Sequence, residues 1–217
     1  MQVRALILDF DGLILDTETP EFLCWSDIFA RYDASLTLEA WGIGVGTQDA
    51  FDPFEHLESL SGRPVDRAAV GAEIHDRMRE RIELELPRPG VVALLDDARD
   101  AGLQVAVASS SYYEWVSRWL KRHALLERFD CIRTRDDVVH VKPHPEVYLA
   151  TAKRLGLDPS ACLAFEDSPN GMKAAIAAGM RVIAVPNPVT ANLQLPPNVT
   201  RLESLADQPL SRLLAGI

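Results

Sequence analysis

A short apolar run, Val3-Arg4-Ala5-Leu6-Ile7-Leu8, ends abruptly in Asp9-Phe10-Asp11-Gly12, and this junction constrains the fold more than any other stretch. A nearly continuous apolar run of that length suits a strand covered on both faces, as in a parallel sheet. Strand periodicity points Asp9 and Asp11 the same way, and Gly12 lets the chain turn sharply just beyond them. Carboxylates at the carboxyl end of a parallel strand lie where open α/β sheets hold their ligands. Taken alone, the pattern also fits a polar strand end with turn chemistry. Its weight depends on whether other strands end the same way.

They do. Val91, Val92, Leu94, Leu95 and Ala98 form one helix face that Gly102 closes, and an apolar strand over 103–108 then runs into Ser109-Ser110-Ser111. A helix over about 113–123 carries Trp115, Trp119 and Leu120 at core-facing spacing, and a weaker strand follows at 130–132. The segment 145–155 reads as a helix with proline in its first turn and Gly156 after its end. A fourth strand, 161–165, again ends in carboxylates, Glu166-Asp167; a small-residue helix over 170–178 and a fifth strand over 181–185 complete the alternation. Strands alternating with helices predict an α/β fold with a doubly wound parallel sheet.

Residues 16–84 break that rhythm. They carry no strand signal, only helical periodicity in Phe22, Trp25, Ile28 or Phe29, and Tyr32, then in Leu57 and Leu60, then in Val70, Ile74 and Met78. The segment reads as a small helical cap domain inserted into a catalytic α/β core made of residues 1–15 and 85–217. The Pro- and Asn-rich tail after Pro186 docks on that core through Leu202, Leu205, Leu210 and Leu213. With 217 residues, 47% of them hydrophobic, the chain can bury cores in both parts. A formal charge of -10 and no basic patch exclude a nucleic-acid polymer or an anionic membrane as partner. Cys24, Cys131 and Cys162 are odd in number and widely spaced among apolar residues, which fits buried hydrophobes in a reducing compartment. No apolar run reaches the roughly 18 residues a spanning helix needs. A soluble, cytoplasmic, monomeric protein is expected.

The motifs in this order resemble the haloacid dehalogenase superfamily, in particular its capped branch of phosphatases and β-phosphoglucomutase-like enzymes with a Rossmannoid core. Asp9-Phe10-Asp11-Gly12 with Asp16-Thr17-Glu18 resembles the first motif, Ser109 the second, Lys142-Pro143 the third, and Glu166-Asp167-Ser168 with Asn170-Gly171 the fourth. The resemblance implies Asp9 as nucleophile and Asp11 as general acid and base, chemistry that two adjacent carboxyls can perform. It implies Mg2+ held by Asp9, the Asp11 carbonyl and Asp167, with Glu166 contributing directly or through water. An oxygen-only set suits such a hard cation. Lys142 would neutralise the nucleophile and the phosphoryl oxygens. The Ser109 hydroxyl and the Ser110 amide would bind those oxygens, Ser111 would assist, and Thr17 would act as hinge, helix cap or substrate contact. The expected substrate is a small phosphomonoester.

The cap departs from the best-known relatives. Glu21 stands where mutase-like members carry a histidine, and Val45-Gly46-Thr47-Gln48-Asp49 lacks the arginine that usually follows the glycine. Both departures favour hydrolysis over a sugar-phosphate mutase. No lysine occurs in 16–84, which argues against the phosphonate-cleaving branch and its imine. A non-catalytic phosphometabolite-binding or protein-interaction module would show erosion among Asp9, Asp11, Lys142 and Asp167, and all four are present. The cap holds 15 acidic and 6 basic side chains, nearly the whole net charge of the chain. Such a lid disfavours doubly phosphorylated substrates if its acids face the site, with Glu21, Asp49 or Asp52 as candidate contacts to a neutral or cationic organic group. Arg63 is the candidate for a distal anion. Arg77, Arg79 and Arg81 read as a solvated helix face.

Overall fold

A computed structural model describes residues 2–47, 50–197 and 199–216. Its centre is β1 (Ala5–Leu8), in which every residue is buried. On one side β1 pairs in parallel with β2 (Gln104–Ala108), which pairs with β3 (Cys131–Arg133); on the other it pairs with β4 (Cys162–Glu166), then β5 (Arg181–Ala184) and β6 (Thr200–Arg201). All described strands are parallel, in the order β3-β2-β1-β4-β5-β6. Leu8 stands opposite both Val107 and Phe165, so the three central strands end flush. That register brings Asp9, Ser109 and Glu166-Asp167 to one edge.

Strand alternation sorts the core into two layers. Leu6 and Leu8 face a cluster built with α5 (Val91–Asp100), α6 (Tyr113–Arg122) and α9 (Leu210–Ala215). Ala5 and Ile7 face the other side, against α7 (Glu146–Leu155) and α8 (Pro169–Ala177). The small residues of α8, Ala174 and Ala175, allow its backbone close to the sheet. The sheet is therefore doubly wound, as expected. The two-residue β6 was not anticipated, because exposed Thr200 and Arg201 carry no apolar signal.

Between β1 and α5 lie α1 (Glu18–Arg31), α2 (Leu38–Trp41), α3 (Pro53–Ser61) and α4 (Arg67–Ile82). Trp25, Ile28, Phe29, Leu57, Val70 and Ile74 bury a separate core among them. Leu60 departs from its expected packing role, since it lies 52% exposed. Side-chain caps begin three of these helices: Thr37 on α2, Asp52 on α3 and Asp66 on α4. The arginine trio is less free than its sequence suggests. Arg77 and Arg81 both pair with Asp27, and Arg31 pairs with Glu73, tying α1 to α4 across 2.7 Å in the last case. No helix among the described residues is long and apolar enough to cross a membrane.

Candidate active site

Asp9 follows the last residue of β1 and continues its ladder through a 3.0 Å bond from its N–H to the Phe165 carbonyl. Its side chain is buried, as is that of Lys142 from the loop before α7. The Lys142 ammonium lies 2.7 Å from Asp9 Oδ1 and 2.7 Å from Glu166 Oε1. Burial alone would weaken Lys142's hold on its proton, but the Asp9 and Glu166 charges outweigh that and raise its pKa above the ordinary lysine value. Burial and the Glu166 charge push the Asp9 pKa up to about 8, against the lowering pull of Lys142.

Glu166 is saturated by donors. Besides Lys142, Tyr148 donates its hydroxyl to Oε1 at 2.5 Å and Ser168 donates its hydroxyl to Oε2 at 3.3 Å. A Cβ at Gly171 would collide with this carboxylate, which explains the glycine. Asp167 is the opposite case. Asn187 Nδ2 donates to its Oδ2 at 2.7 Å, and Oδ1 is buried with no partner among the described residues. Burial, then the charges of Asp9 and Glu166, raise the Asp167 pKa well above the carboxylate range. Oxygens of Asp9, Glu166 and Asp167 lie within 4.8 Å of one another. The orphaned Asp167 oxygen and the oxygen-only donor set fit a hard divalent cation. Glu166 has the least capacity left for one.

Asp11 accepts four side-chain hydrogen bonds. Thr17 Oγ1 and Trp115 Nε1 donate to its Oδ1 at 2.9 and 2.8 Å, and Ser111 Oγ and Ser109 Oγ donate to its Oδ2 at 2.6 and 3.4 Å. Thr17 precedes α1 without capping it by its side chain; its hydroxyl is spent on Asp11. Ser110 turns the other way, donating to the Gly46 carbonyl at 3.2 Å. Asn170 Nδ2 donates to the Val45 carbonyl at 2.9 Å, and a Cβ at Gly46, whose φ is +77°, would strike Ser168. The 43–47 loop of the insert is thus seated on the loop after β2 and on the first turn of α8.

These groups wall a cavity of about 390 Å³ that Asp9, Asp11 and the three serines share with Thr17, Glu18 and Glu21. A further recess of about 160 Å³ continues past Glu18, Glu21 and Thr47 to Trp41 and Phe51. Burial raises the Glu21 pKa to about 7, helped by Asp11; burial and the Glu21 charge raise that of Glu18 well above its ordinary value. Asp52 and Arg63 are not brought to the cavity. Asp52 caps α3 and pairs with Arg67 at 3.0 Å, and Arg63 pairs with Asp33 at 3.1 Å over the Tyr32 ring. Asp49 lies outside the described residues.

Trp115, Tyr148, Arg88 and Asn187 also belong to the site and were not singled out for it. Arg88 donates to the carbonyls of Gly12, Val185 and Pro186 at 2.6, 2.9 and 2.7 Å, fastening the first turn to the end of β5. Trp115 packs against the core as its spacing predicts, and being only half-buried it also turns its ring edge to Asp11. The position of Asn187, just past a strand end, was the available signal for that residue.

Residues 6–185 match the haloacid dehalogenase-like hydrolase family. The chain is 48% identical over 98% of its length, and 96% of the relative's, to YhcW of Bacillus subtilis (strain 168). It is 32% identical to hexitol phosphatase B of Escherichia coli (strain K12), covering 88% of this chain and 87% of that one. The crystal structure of CbbY from Rhodobacter sphaeroides in complex with phosphate superposes with a TM-score of 0.74 at 26% identity, over 97% of this chain and 98% of the other.

Proposed function

The chain belongs to the haloacid dehalogenase-like hydrolases, and on that premise we propose that it is a magnesium-dependent phosphomonoester hydrolase working through an aspartyl-phosphate on Asp9. The observation that carries this reading is the buried Lys142 ammonium held on Asp9 Oδ1 while Asp167 Oδ1 stands unpartnered in the same cluster. Such a cluster of carboxylates would repel a phosphate were its charge not offset.

In the first step an Asp9 oxygen attacks phosphorus while Asp11 gives a proton to the departing oxygen. In the second, Asp11 takes a proton from the water that cleaves the aspartyl-phosphate. The Ser109 hydroxyl and Ser110 amide donate to the phosphoryl oxygens, and Lys142 offsets their charge. Asp9, Asp167 and the Asp11 carbonyl would hold Mg2+, with Glu166 positioned to act through water and through its grip on Lys142. When bound, the ion supplies Lewis-acid stabilisation of the phosphoryl oxygens. Residues 16–84 serve as a cap domain over the catalytic domain of 1–15 and 85–217, excluding water when closed; the contacts of the 43–47 loop support this division. The three free cysteines fit a cytoplasmic enzyme.

The substrate is read as a small monophosphate with a neutral or cationic organic part. Glu18 and Glu21 line both cavities. No arginine, lysine or histidine lines either among the described residues, so a second phosphate would find no cationic partner in their walls. The name of the Escherichia coli relative puts polyol phosphates first in any screen. Magnesium-dependent phosphate release should be measured over polyol and sugar phosphates, amino-alcohol phosphates, nucleotides and short-chain phosphoesters, with Asp9→Asn as blank. Release that vanishes to the blank level in Asp9→Asn is expected. Turnover retained by that variant removes Asp9 as nucleophile. Conversion of β-glucose 1-phosphate to glucose 6-phosphate without matching release would make the enzyme a mutase.

A further inference from the structure

Of the four donors on Asp11, three are hydroxyls that can turn to other acceptors, and one of them, Ser109, is needed by the phosphoryl group. The fourth is different in kind. An indole N–H is a donor only, and its direction is set by the ring. The Trp115 ring is fixed on α6 by edge-on packing against Trp119, with centroids 5.6 Å apart and planes at 75°. Trp119 itself is 1% exposed. The N–H of Trp115 therefore stays 2.8 Å from Asp11 Oδ1 without help from a rotor. Oδ2 carries only hydroxyl donors that can turn away, Ser111 at 2.6 Å and Ser109 at 3.4 Å, and Ser109 lies on the side where the phosphoryl group is to be held.

We propose that Trp115 is the positioning residue for the general acid. It occupies Asp11 Oδ1, so that Oδ2 is the oxygen presented to the leaving group once phosphate has drawn the Ser109 hydroxyl away and the Ser111 hydroxyl has turned to another acceptor. This rests on the hydrolase reading above. As the Asp9 oxygen bonds to phosphorus and the bond from phosphorus to the ester oxygen breaks, the proton on Asp11 Oδ2 passes to that ester oxygen and the alcohol leaves neutral. In the second step the same oxygen takes back a proton from the attacking water. Without the indole donor only the Thr17, Ser111 and Ser109 hydroxyls hold the carboxyl; these can turn with it as it rotates about its χ2, and the proton is misdirected during part of each encounter.

Trp115→Phe tests this against a matched pair of esters, phenyl phosphate and p-nitrophenyl phosphate. The two are similar in shape, but only the phenolate is basic enough to need the proton as it leaves. The expected result is a fall in kcat/KM of ~10²-fold for phenyl phosphate, within the range general acid catalysis supplies, with about threefold or less for p-nitrophenyl phosphate. Trp119→Phe is the packing control. It removes a buried indole N–H that has no partner among the described residues and should not separate the two esters. Equal losses on both esters in Trp115→Phe, or the same separation in Trp119→Phe, overturn the proposal. The bond is also read without turnover, from the indole cross-peak of Trp115 in a ¹⁵N–¹H spectrum of the full chain, which should move in Asp11→Ala. An unmoved cross-peak overturns the proposal even if the enzyme is active. A moved one in a wild type that releases phosphate from neither ester nor from any compound of the screen above keeps the Trp115 clamp on Asp11 and rejects the hydrolase reading instead.

Discussion

Asp167 keeps one oxygen free because Asn187 holds the other. The Asn187 amide cannot turn over, since its Oδ1 accepts from the N–H groups of Val189 and Thr190 at 2.9 and 3.0 Å, which leaves Nδ2 for Asp167 and the Gly12 carbonyl. A carboxylate aimed in this way binds a cation better than one free to rotate, and loss of such a supporting partner costs about 10- to 100-fold in metal affinity. Asn187→Ala should therefore weaken Mg2+ binding by that factor in calorimetric titration of the protein. Unchanged affinity would reduce Asn187 to a loop brace. The contrast with Asp9, Asp11, Lys142, Ser109, Glu166 and Asp167 is instructive. Each of those was legible because charged or hydroxyl groups at strand ends and beside a loop proline have few structural uses. Asn187 and Trp115 were not, because an amide after a proline reads as turn chemistry and a tryptophan at helical spacing reads as volume. Periodicity registers which way a side chain faces and says nothing of what its polar edge touches.

At the level of elements, parallel register is what gathers the core site: pairing Leu8 with Val107 and Phe165 makes three chain turns leave the sheet side by side. That much followed from apolar runs ending in polar groups. The seating of the insert did not, because it depends on backbone carbonyls. Val45 and Gly46 offer theirs to Asn170 and Ser110, and no side-chain pattern in 43–47 announces this. The same limit explains Asp52 and Arg63, which composition made eligible for the cleft and helix capping and ion pairing drew elsewhere. Gly46 is the point at which the insert's position can be tested. Its φ of +77° and the Ser168 side chain beyond it both oppose a Cβ. Gly46→Ala should lift the loop from Ser168 while leaving both hydrophobic cores intact. A displacement on the scale of 1 Å at a reacting centre costs about 10²-fold in rate. A loss of that order in kcat/KM is expected, with a small change in Tm. A variant that loses Tm sharply and keeps its activity would show that the loop braces the fold without setting the site.

Across the whole molecule the acidic charge is divided by purpose. On the outer faces of the insert, Asp27, Asp33, Asp52, Glu58 and Glu73 are matched by arginines, whereas the cleft concentrates Asp9, Glu18, Glu21 and Asp167 against Lys142 and, beside Asp167, Arg88. Folding therefore raises the proton affinity of this group, with Glu21 up to about 7 and Asp9 up to about 8. The sign of the stability effect follows directly. Between the ordinary carboxylate range near pH ~4 and these raised values, the folded chain holds protons that the unfolded chain has released. Its stability must then fall as pH rises through that window. In EDTA, Tm should decline from pH 5 to 8.5. A divalent cation needs ionised ligands, so Mg2+ should raise Tm more at pH 8 than at pH 6, cancelling the share owed to Asp9 and Asp167. The share owed to Glu21 should survive the metal, because that carboxyl is not part of the Asp9, Glu166 and Asp167 oxygen cluster, and Glu21→Gln should flatten the slope near pH 7 with Mg2+ present. Thermal unfolding of both proteins across that range, with EDTA and with Mg2+, separates the two contributions. A wild-type Tm that is level or rising from pH 6 to 8 in EDTA would mean that the cleft carboxyls are not held protonated by the fold, and the electrostatic account of the cluster would fail with it.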